Sequence, residues 1–210
     1  MSQQSGYLHI FIGGMFSGKT TNLIRKITKS ADLSKQTGSK NPILINNTLD
    51  NRDNKNIISR HNSSYKGISK YIDVVSTKKL SDLNLTGYDV IGIDEGQLYT
   101  DLYETIVGWV NLGKIIFIAG LVGDSNQEHF GEIYKLLPKV NKIEFLTAFC
   151  HFCVTEYTKD GKILTPESLA NMSASFTKKI SGGNSQIDVG GSDKYLPSCR
   201  RHLWGYVIYY

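Results

Sequence analysis

Gly13-Gly14-Met15-Phe16-Ser17-Gly18-Lys19-Thr20 fits the pattern of glycine, four residues, glycine, lysine, then serine or threonine. Glycines let the backbone curl so that successive N–H groups point inward, and the following helix adds the positive end of its dipole. In that setting Lys19 reaches the β and γ phosphates of a nucleoside triphosphate, and the Thr20 hydroxyl ligates Mg2+. Such an octet also arises by chance in loops, so its neighbours decide. Before it, Leu8, Ile10 and Ile12 lie in the short apolar run Tyr7 to Ile12, which predicts a core strand. After it, Leu23, Ile24 and Ile27 recur at helical spacing, with Arg25, Lys26 and Lys29 between or beyond them. Strand, glycine loop and helix stand in the required order.

Working outward, Ser30 to Asn41 is polar and ends at Pro42, which predicts a loop before a short strand at Ile43 to Ile45. Asn46 to Ser69 is rich in Asn, Asp, Ser and Lys and predicts a mobile surface loop. Strands are expected at Tyr71 to Val75, Val90 to Asp94, Ile115 to Ala119 and Ile143 to Ala148. A short helix or turn is expected at Leu80 to Leu85, a helix around Ile106, Val107, Val110 and Leu112, and a helical turn or two at Ile133 to Leu137, closed by Pro138. This alternation predicts an α/β fold, a mostly parallel sheet with helices on both faces. From about Phe149 onward the chain holds all three cysteines and few runs long enough for a core. The expected organisation is a disordered N-terminus over 1–6, a nucleotide-binding core over 7–148 and a small loop-rich unit over 149–210.

At 210 residues and 40% hydrophobic content, the chain can bury one good-sized core plus a small appendage. No apolar run approaches the roughly 20 residues of a membrane span, and Met1 to Gly6 is too polar for a secretory signal, so a cytoplasmic protein without membrane association is expected. The net charge of +5 raises the question of nucleic acid. The basic residues are scattered rather than clustered, which favours a solvated surface and no nucleic-acid partner.

Asp94-Glu95 closes the strand Val90-Ile91-Gly92-Ile93, where ligands of an open α/β sheet gather. Asp94 can hold Mg2+ opposite the Thr20 hydroxyl, and Glu95 can act as a base. An ATPase would use that base on water, a small-molecule kinase on an acceptor hydroxyl, and the pair alone leaves both open. Gln97 can orient a carboxylate or substrate by hydrogen bonds.

Cys150-His151-Phe152-Cys153 and Cys199-Arg200-Arg201-His202 supply Cys150, Cys153, Cys199 and His202 as four ligands for tetrahedral zinc. A closed Cys3His site is structural and would pin both ends of the intervening loop. His151, inside the knuckle, is a competing ligand.

Together these motifs resemble the type II thymidine kinase family, cellular and viral enzymes with a RecA-like core and a zinc-anchored lasso. The resemblance rests on Gly13 to Thr20, Asp94-Glu95-Gly96-Gln97, Phe130-Gly131-Glu132-Ile133 and Leu146 to Cys150, and extends to Ser175 to Lys179, Gly190 to Tyr195 and Cys199 to His202. It implies transfer of the γ phosphate of ATP to the 5′ hydroxyl of thymidine or deoxyuridine, in deoxynucleotide salvage. ATP and Mg2+ would be held by Gly13 to Thr20 with Asp94 and Gln97. Glu95 matches the family's general base, assisted by Lys19, and Arg52 matches an arginine near the acceptor oxygen. Met15, Leu98, Leu121, Phe130 and Tyr195 match the thymine pocket, with Ile187, Asp188, Val189 and Gly190 of the lasso reading the base through backbone groups. A homotetramer is implied as well.

The chain departs from the family pattern at Gly120 to Gln127. Val122 stands for the usual aspartate and Ser125 for an aromatic wall, while Leu98-Tyr99 replaces two phenylalanines. Losing one aromatic face would weaken base binding by about 0.5 to 1.5 kcal/mol. Two other readings are an ATPase acting on nucleic acid, for which no aromatic-basic stripe is present, and a nucleotide sensor that has lost catalysis. The apolar tail from Leu203 to Tyr210 is expected to pack on the core or on another subunit.

Overall fold

The computed structural model describes residues 5–38, 42–49, 72–183 and 185–204. Its centre is a six-stranded sheet in the order β3-β2-β4-β5-β1-β6, every neighbouring pair parallel. The strands are β1 (Tyr7–Gly13), β2 (Ile43–Asn47), β3 (Asp73–Thr77), β4 (Val90–Ile93), β5 (Ile115–Gly120) and β6 (Lys142–Leu146). The α/β class and the parallel sheet expected from the alternating pattern are both present.

Side-chain alternation along the inner strands builds two cores. On one face Leu8, Ile10 and Ile12 of β1 join Ile91 and Ile93 of β4 and Ile116 and Ile118 of β5. That face is covered by α2 (Leu102–Asn111) and α3 (Ile133–Leu136), through Leu102, Ile106, Ile133 and Leu136. On the other face Phe11, Leu44, Phe117 and Ala119 meet Leu23, Ile27 and Ala31 of α1 (Lys19–Thr37). Each fully buried Leu or Ile contributes roughly 1.5 to 3 kcal/mol to the drive for collapse, so the two faces lock the sheet in one register.

Helix α1 corrects one expectation. Ser30 to Thr37 is its C-terminal half, not a loop. Ala31 and Ser34 are buried at helical spacing from Ile27, and the Ser30 and Ser34 hydroxyls donate back to the carbonyls of Lys26 and Ser30 at 3.1 and 3.0 Å. Satisfied in this way, a polar sequence costs the helix little. It stops at Gly38, whose N–H donates to the Ser34 carbonyl. The expected loop over Asn46 to Ser69 lies mostly outside the described residues, as do Tyr71 and the tail 205–210.

Beyond β6 the chain is more regular than its composition predicts. It forms β7 (Ala148–Phe149), α4 (His151–Lys159), α5 (Pro166–Ala170), β8 (Ser173–Ala174), β9 (Phe176–Lys179), β10 (Tyr195–Ser198) and α6 (Arg200–Leu203). β7 pairs antiparallel with β8, and β9 with β10. The second hairpin joins the two ends of the segment 180–194, where the resemblance places the lasso. No helix among the described residues is long and apolar enough to cross a membrane.

Candidate active site and metal centre

The phosphate loop joins β1 to α1. Gly13 has φ 151°, and a Cβ there would lie 2.0 Å from the Leu146 carbonyl oxygen of β6, so only glycine lets the edge strand approach. Ser17 Oγ and Lys19 Nζ both donate to the Gly14 carbonyl, at 2.8 and 2.7 Å. Phe16 takes a left-handed conformation at φ 64° and is 39% exposed. The loop is backed by β9, where Thr177 Oγ1 accepts the Met15 N–H at 2.8 Å.

Strand β5 lies between β1 and β4, and the C-terminal ends of β1 and β4 bring Thr20 and Asp94 together. The Thr20 hydroxyl donates to Asp94 Oδ1 at 3.1 Å, and the same oxygen accepts the Glu95 N–H at 3.0 Å. Glu95 adopts φ 50° and ψ 47°, a conformation that costs a non-glycine residue about 1 to 2 kcal/mol. The turn Gly96–Leu98 holds it there, with the Leu98 N–H on the Glu95 carbonyl at 2.9 Å. Buried Gln97 ties the carboxylate to the next strand end. Its Nε2 donates to Glu95 Oε2 at 2.5 Å and its Oε1 accepts the Leu121 N–H at 2.9 Å. Gly131, at φ 64°, makes room for this turn, since a Cβ would sit 2.2 Å from the Gln97 carbonyl oxygen.

The residues matched to a base pocket come from four segments. Met15 is in the phosphate loop. Leu98, Leu121 and buried Phe130 lie on the turns after β4 and β5, with the Phe130 N–H on the Val122 carbonyl at 3.2 Å. Tyr195 is buried and donates its hydroxyl to the Asp188 carbonyl at 2.7 Å. Asp188 is gripped by Lys179 at 2.7 Å and Lys194 at 2.5 Å, and these two ammonium groups, Lys179 foremost, hold its carboxyl down at about 2. Gly190 packs under the Lys194 side chain, whereas Ile187 and Val189 remain 47% and 38% exposed. Arg52 lies outside the described residues. Thr177, Asp124 and Gln186 had no role assigned from sequence; the only signal was that Thr177 lies in Ser-Phe-Thr-Lys-Lys.

The four metal-ligand candidates converge. Their ligand atoms all lie within 4.8 Å of one another. His202 Nδ1 is 3.5 Å from Cys150 Sγ and 3.4 Å from both Cys153 Sγ and Cys199 Sγ, while Cys153 Sγ and Cys199 Sγ are 3.7 Å apart. Tetrahedral zinc, with bonds of about 2.3 Å to sulfur and about 2.05 Å to nitrogen, puts sulfurs about 3.8 Å apart and sulfur and nitrogen about 3.5 Å apart. These four separations therefore match the edges of a zinc site before any metal is considered. Outside it, Glu156 Oε1 lies 2.9 Å from His202 Nε2, and its Oε2 accepts Arg201 Nη2 at 2.5 Å. A carboxylate on Nε2 keeps that nitrogen protonated and Nδ1 free to ligate. His151 is exposed and not among the four.

Similarity to known proteins runs along nearly the whole chain. A sequence model of the thymidine kinase family matches residues 6–203. The thymidine kinase of Fowlpox virus is 34% identical over 201 residues, covering 94% of this chain and 96% of that protein. That of Amsacta moorei entomopoxvirus is 36% identical over 197 residues, with 92% and 95% covered. The rice (Oryza sativa subsp. japonica) thymidine kinase is 30% identical over 204 residues, 94% of this chain and 66% of the plant protein. With a phosphate loop, an acidic strand end and a Cys3His cluster inside a match of that extent, the chain belongs to the thymidine kinase family.

Proposed function

We propose that the protein transfers the γ phosphate of ATP to the 5′ hydroxyl of thymidine or deoxyuridine, yielding the nucleoside monophosphate for deoxynucleotide salvage. The observation that carries this reading is the Thr20–Asp94 hydrogen bond at 3.1 Å, which sets a Mg2+-type hydroxyl–carboxylate pair between the phosphate loop and Glu95. Thr20 and Asp94 would hold Mg2+, which when bound neutralises phosphate charge. Gly13 to Gly18 offer backbone donors to the phosphates, and Lys19 supplies a cation for the β and γ groups. Gln97 supports this end of the site by orienting Glu95.

In the transfer, the 5′ oxygen forms its bond to the γ phosphorus as the bond to ADP breaks and the leaving oxygen takes the electron pair. Glu95 accepts the hydroxyl proton. Arg52 is assigned to the acceptor oxygen by resemblance alone. Met15, Leu98, Leu121, Phe130 and Tyr195 wall the pyrimidine, and the backbone of Ile187 to Gly190 reads its polar edge. In this reading residues 7–148 form the nucleotide-binding core and 149–210 a zinc-binding lasso subdomain. The enzyme works as a cytoplasmic homotetramer on free nucleoside, without nucleic-acid or membrane partners.

Purified protein with Mg-ATP is tested against thymidine, deoxyuridine, deoxycytidine and no acceptor. Thymidine monophosphate formed well above the deoxycytidine product is the expected result. ATP hydrolysis independent of acceptor would replace the kinase with an ATPase, and absence of turnover in every arm would point to a sensor.

A further inference from the structure

Two walls of the base pocket are joined by a side chain that motif reading passes over. Gln186, on the lasso, donates from Nε2 to Asp124 Oδ2 at 2.9 Å and to the His129 carbonyl at 3.0 Å. Asp124 is built to receive it. Its Oδ1 accepts the Asn126 and Glu128 N–H groups at 2.8 and 3.0 Å, which fixes the 123–129 turn and leaves Oδ2 toward the lasso. The turn is closed further by the Asp124 N–H on the Glu128 carbonyl at 2.9 Å. Among the described residues these two bonds from Gln186 are the only hydrogen bonds between segment 121–130 and the lasso.

The location matters because segment 121–130 carries Leu121 and Phe130, while the lasso carries Asp188 to Gly190 and leads into Tyr195. It also holds Ser125, at the position where the resemblance to the type II family implies an aromatic wall. A cavity of about 370 Å³ opens beside the contact, with Ser125, Gln186 and Trp204 among its lining residues. The lasso therefore has little apolar packing there to hold it down. Asp188, gripped by Lys179 at the end of β9 and by Lys194 just before β10, anchors the far side of the same loop.

We infer that Gln186 and Asp124 form a latch that holds the lasso against segment 121–130 and so sets the affinity for the nucleoside; this rests on the nucleoside kinase reading. Both are positioning residues. They order the backbone that reads the base and take no part in phosphoryl transfer. A hydrogen bond of net worth about 0.5 to 1.5 kcal/mol shifts the latched population roughly three- to ten-fold.

The test uses Gln186→Ala, Asp124→Asn, the double variant, and Gln186→Lys, whose ammonium can donate to the same two oxygens. Gln186→Ala is expected to raise KM for thymidine about three- to ten-fold, with kcat and KM for ATP within about twofold of wild type. The double variant should be no worse than the worse single variant, and Gln186→Lys should restore KM. An unchanged KM in Gln186→Ala, additive effects, or a lysine variant as impaired as alanine would overturn the latch. A second readout needs no activity. With no substrate present, trypsin should cut after Lys179 or Lys194 about three- to ten-fold faster in Gln186→Ala than in wild type at equal thermal stability, because cleavage tracks the open population. Equal cutting rates would overturn the latch even in an active enzyme. Faster cutting in a protein without kinase activity would leave the latch standing and remove the functional reading alone.

Discussion

The Gln97 side-chain amide donates to the Glu95 carboxylate at 2.5 Å and accepts the Leu121 N–H at 2.9 Å, so one buried side chain fixes both an acidic group and a strand-end turn. Replacing Gln97 with Met keeps the volume and removes both bonds. The Leu121 N–H then loses its acceptor, at a cost of about 1 to 3 kcal/mol in stability. Turnover should fall about ten- to a hundred-fold, because Glu95 loses its orientation. Denaturant unfolding and steady-state kinetics on the same preparation check the two parts. Equal kcat in the variant would remove Gln97 from the site. Glu95→Gln should lose most activity and still bind ATP.

Glu156 supports the Cys3His cluster from outside. Elemental analysis should find one zinc per chain, and Glu156→Ala should weaken zinc binding about ten- to a hundred-fold by releasing His202 Nε2. Competition with a chromophoric chelator measures the change directly, independent of catalysis. Unaltered affinity would make the Glu156–His202 contact incidental. Cys153→Ser, which removes a ligand, should disorder the lasso before it unfolds the six-stranded sheet.

His9 gives the protein an acid-sensitive core. It is 1% exposed on β1, 4.3 Å from the Phe11 ring centre, with Nε2 3.1 Å from Glu144 Oε1. Burial pushes its pKa below the ordinary 6.5, more than Glu144 raises it, and Lys142 and Lys26 lower it further. The unfolded chain therefore takes up a proton near pH 6.5 that the folded protein resists. The stabilising contribution of His9 is complete above that value and is lost as pH falls through the lower folded pKa. His9→Phe should flatten the stability profile below pH 6.5, as read by thermal unfolding across pH. An unchanged slope would assign the acid sensitivity to other groups.

Tyr99 carries its own test. It is fully buried, and its hydroxyl has no hydrogen-bond partner among the described residues. Burial, with Asp94 and Asp101 nearby, drives its ionisation far above the usual tyrosine range, so the group stays a neutral phenol. Tyr99→Phe should raise stability by about 1 kcal/mol by removing an unsatisfied buried polar atom. A loss of similar size would reveal a bound water paired with that hydroxyl.

Local patterns carried most of the fold. The octet with its flanking strand and helix, and the apolar runs at Val90 and Ile115, announce parallel α/β architecture because period and punctuation are encoded within a few residues. The last turns of α1 escaped notice because Ser30 and Ser34 satisfy their hydroxyls on the helix itself, which no periodicity shows. The Cys3His cluster was legible because cysteines at fixed spacing have few other uses. The Gln186–Asp124 and Met15–Thr177 contacts were not, because each joins segments far apart in the chain through residue types that are ordinary on any surface.

The strand order has a consequence for how the chain acquires its fold. Among the described strands β1 leaves the ribosome before the others, yet it ends between β5 and β6, with Gly13 pressed against the carbonyl of Leu146. The slot for the phosphate loop does not exist until residue 146 has been made, more than a hundred residues later. Contacts of such long sequence separation close slowly, and an N-terminal fragment would expose the flanks of β1 to other chains. Synthesis that stalled before β6 would thus leave a sticky apolar strand, and the Gly13 to Thr20 loop gains its full setting late, in one step with completion of the sheet.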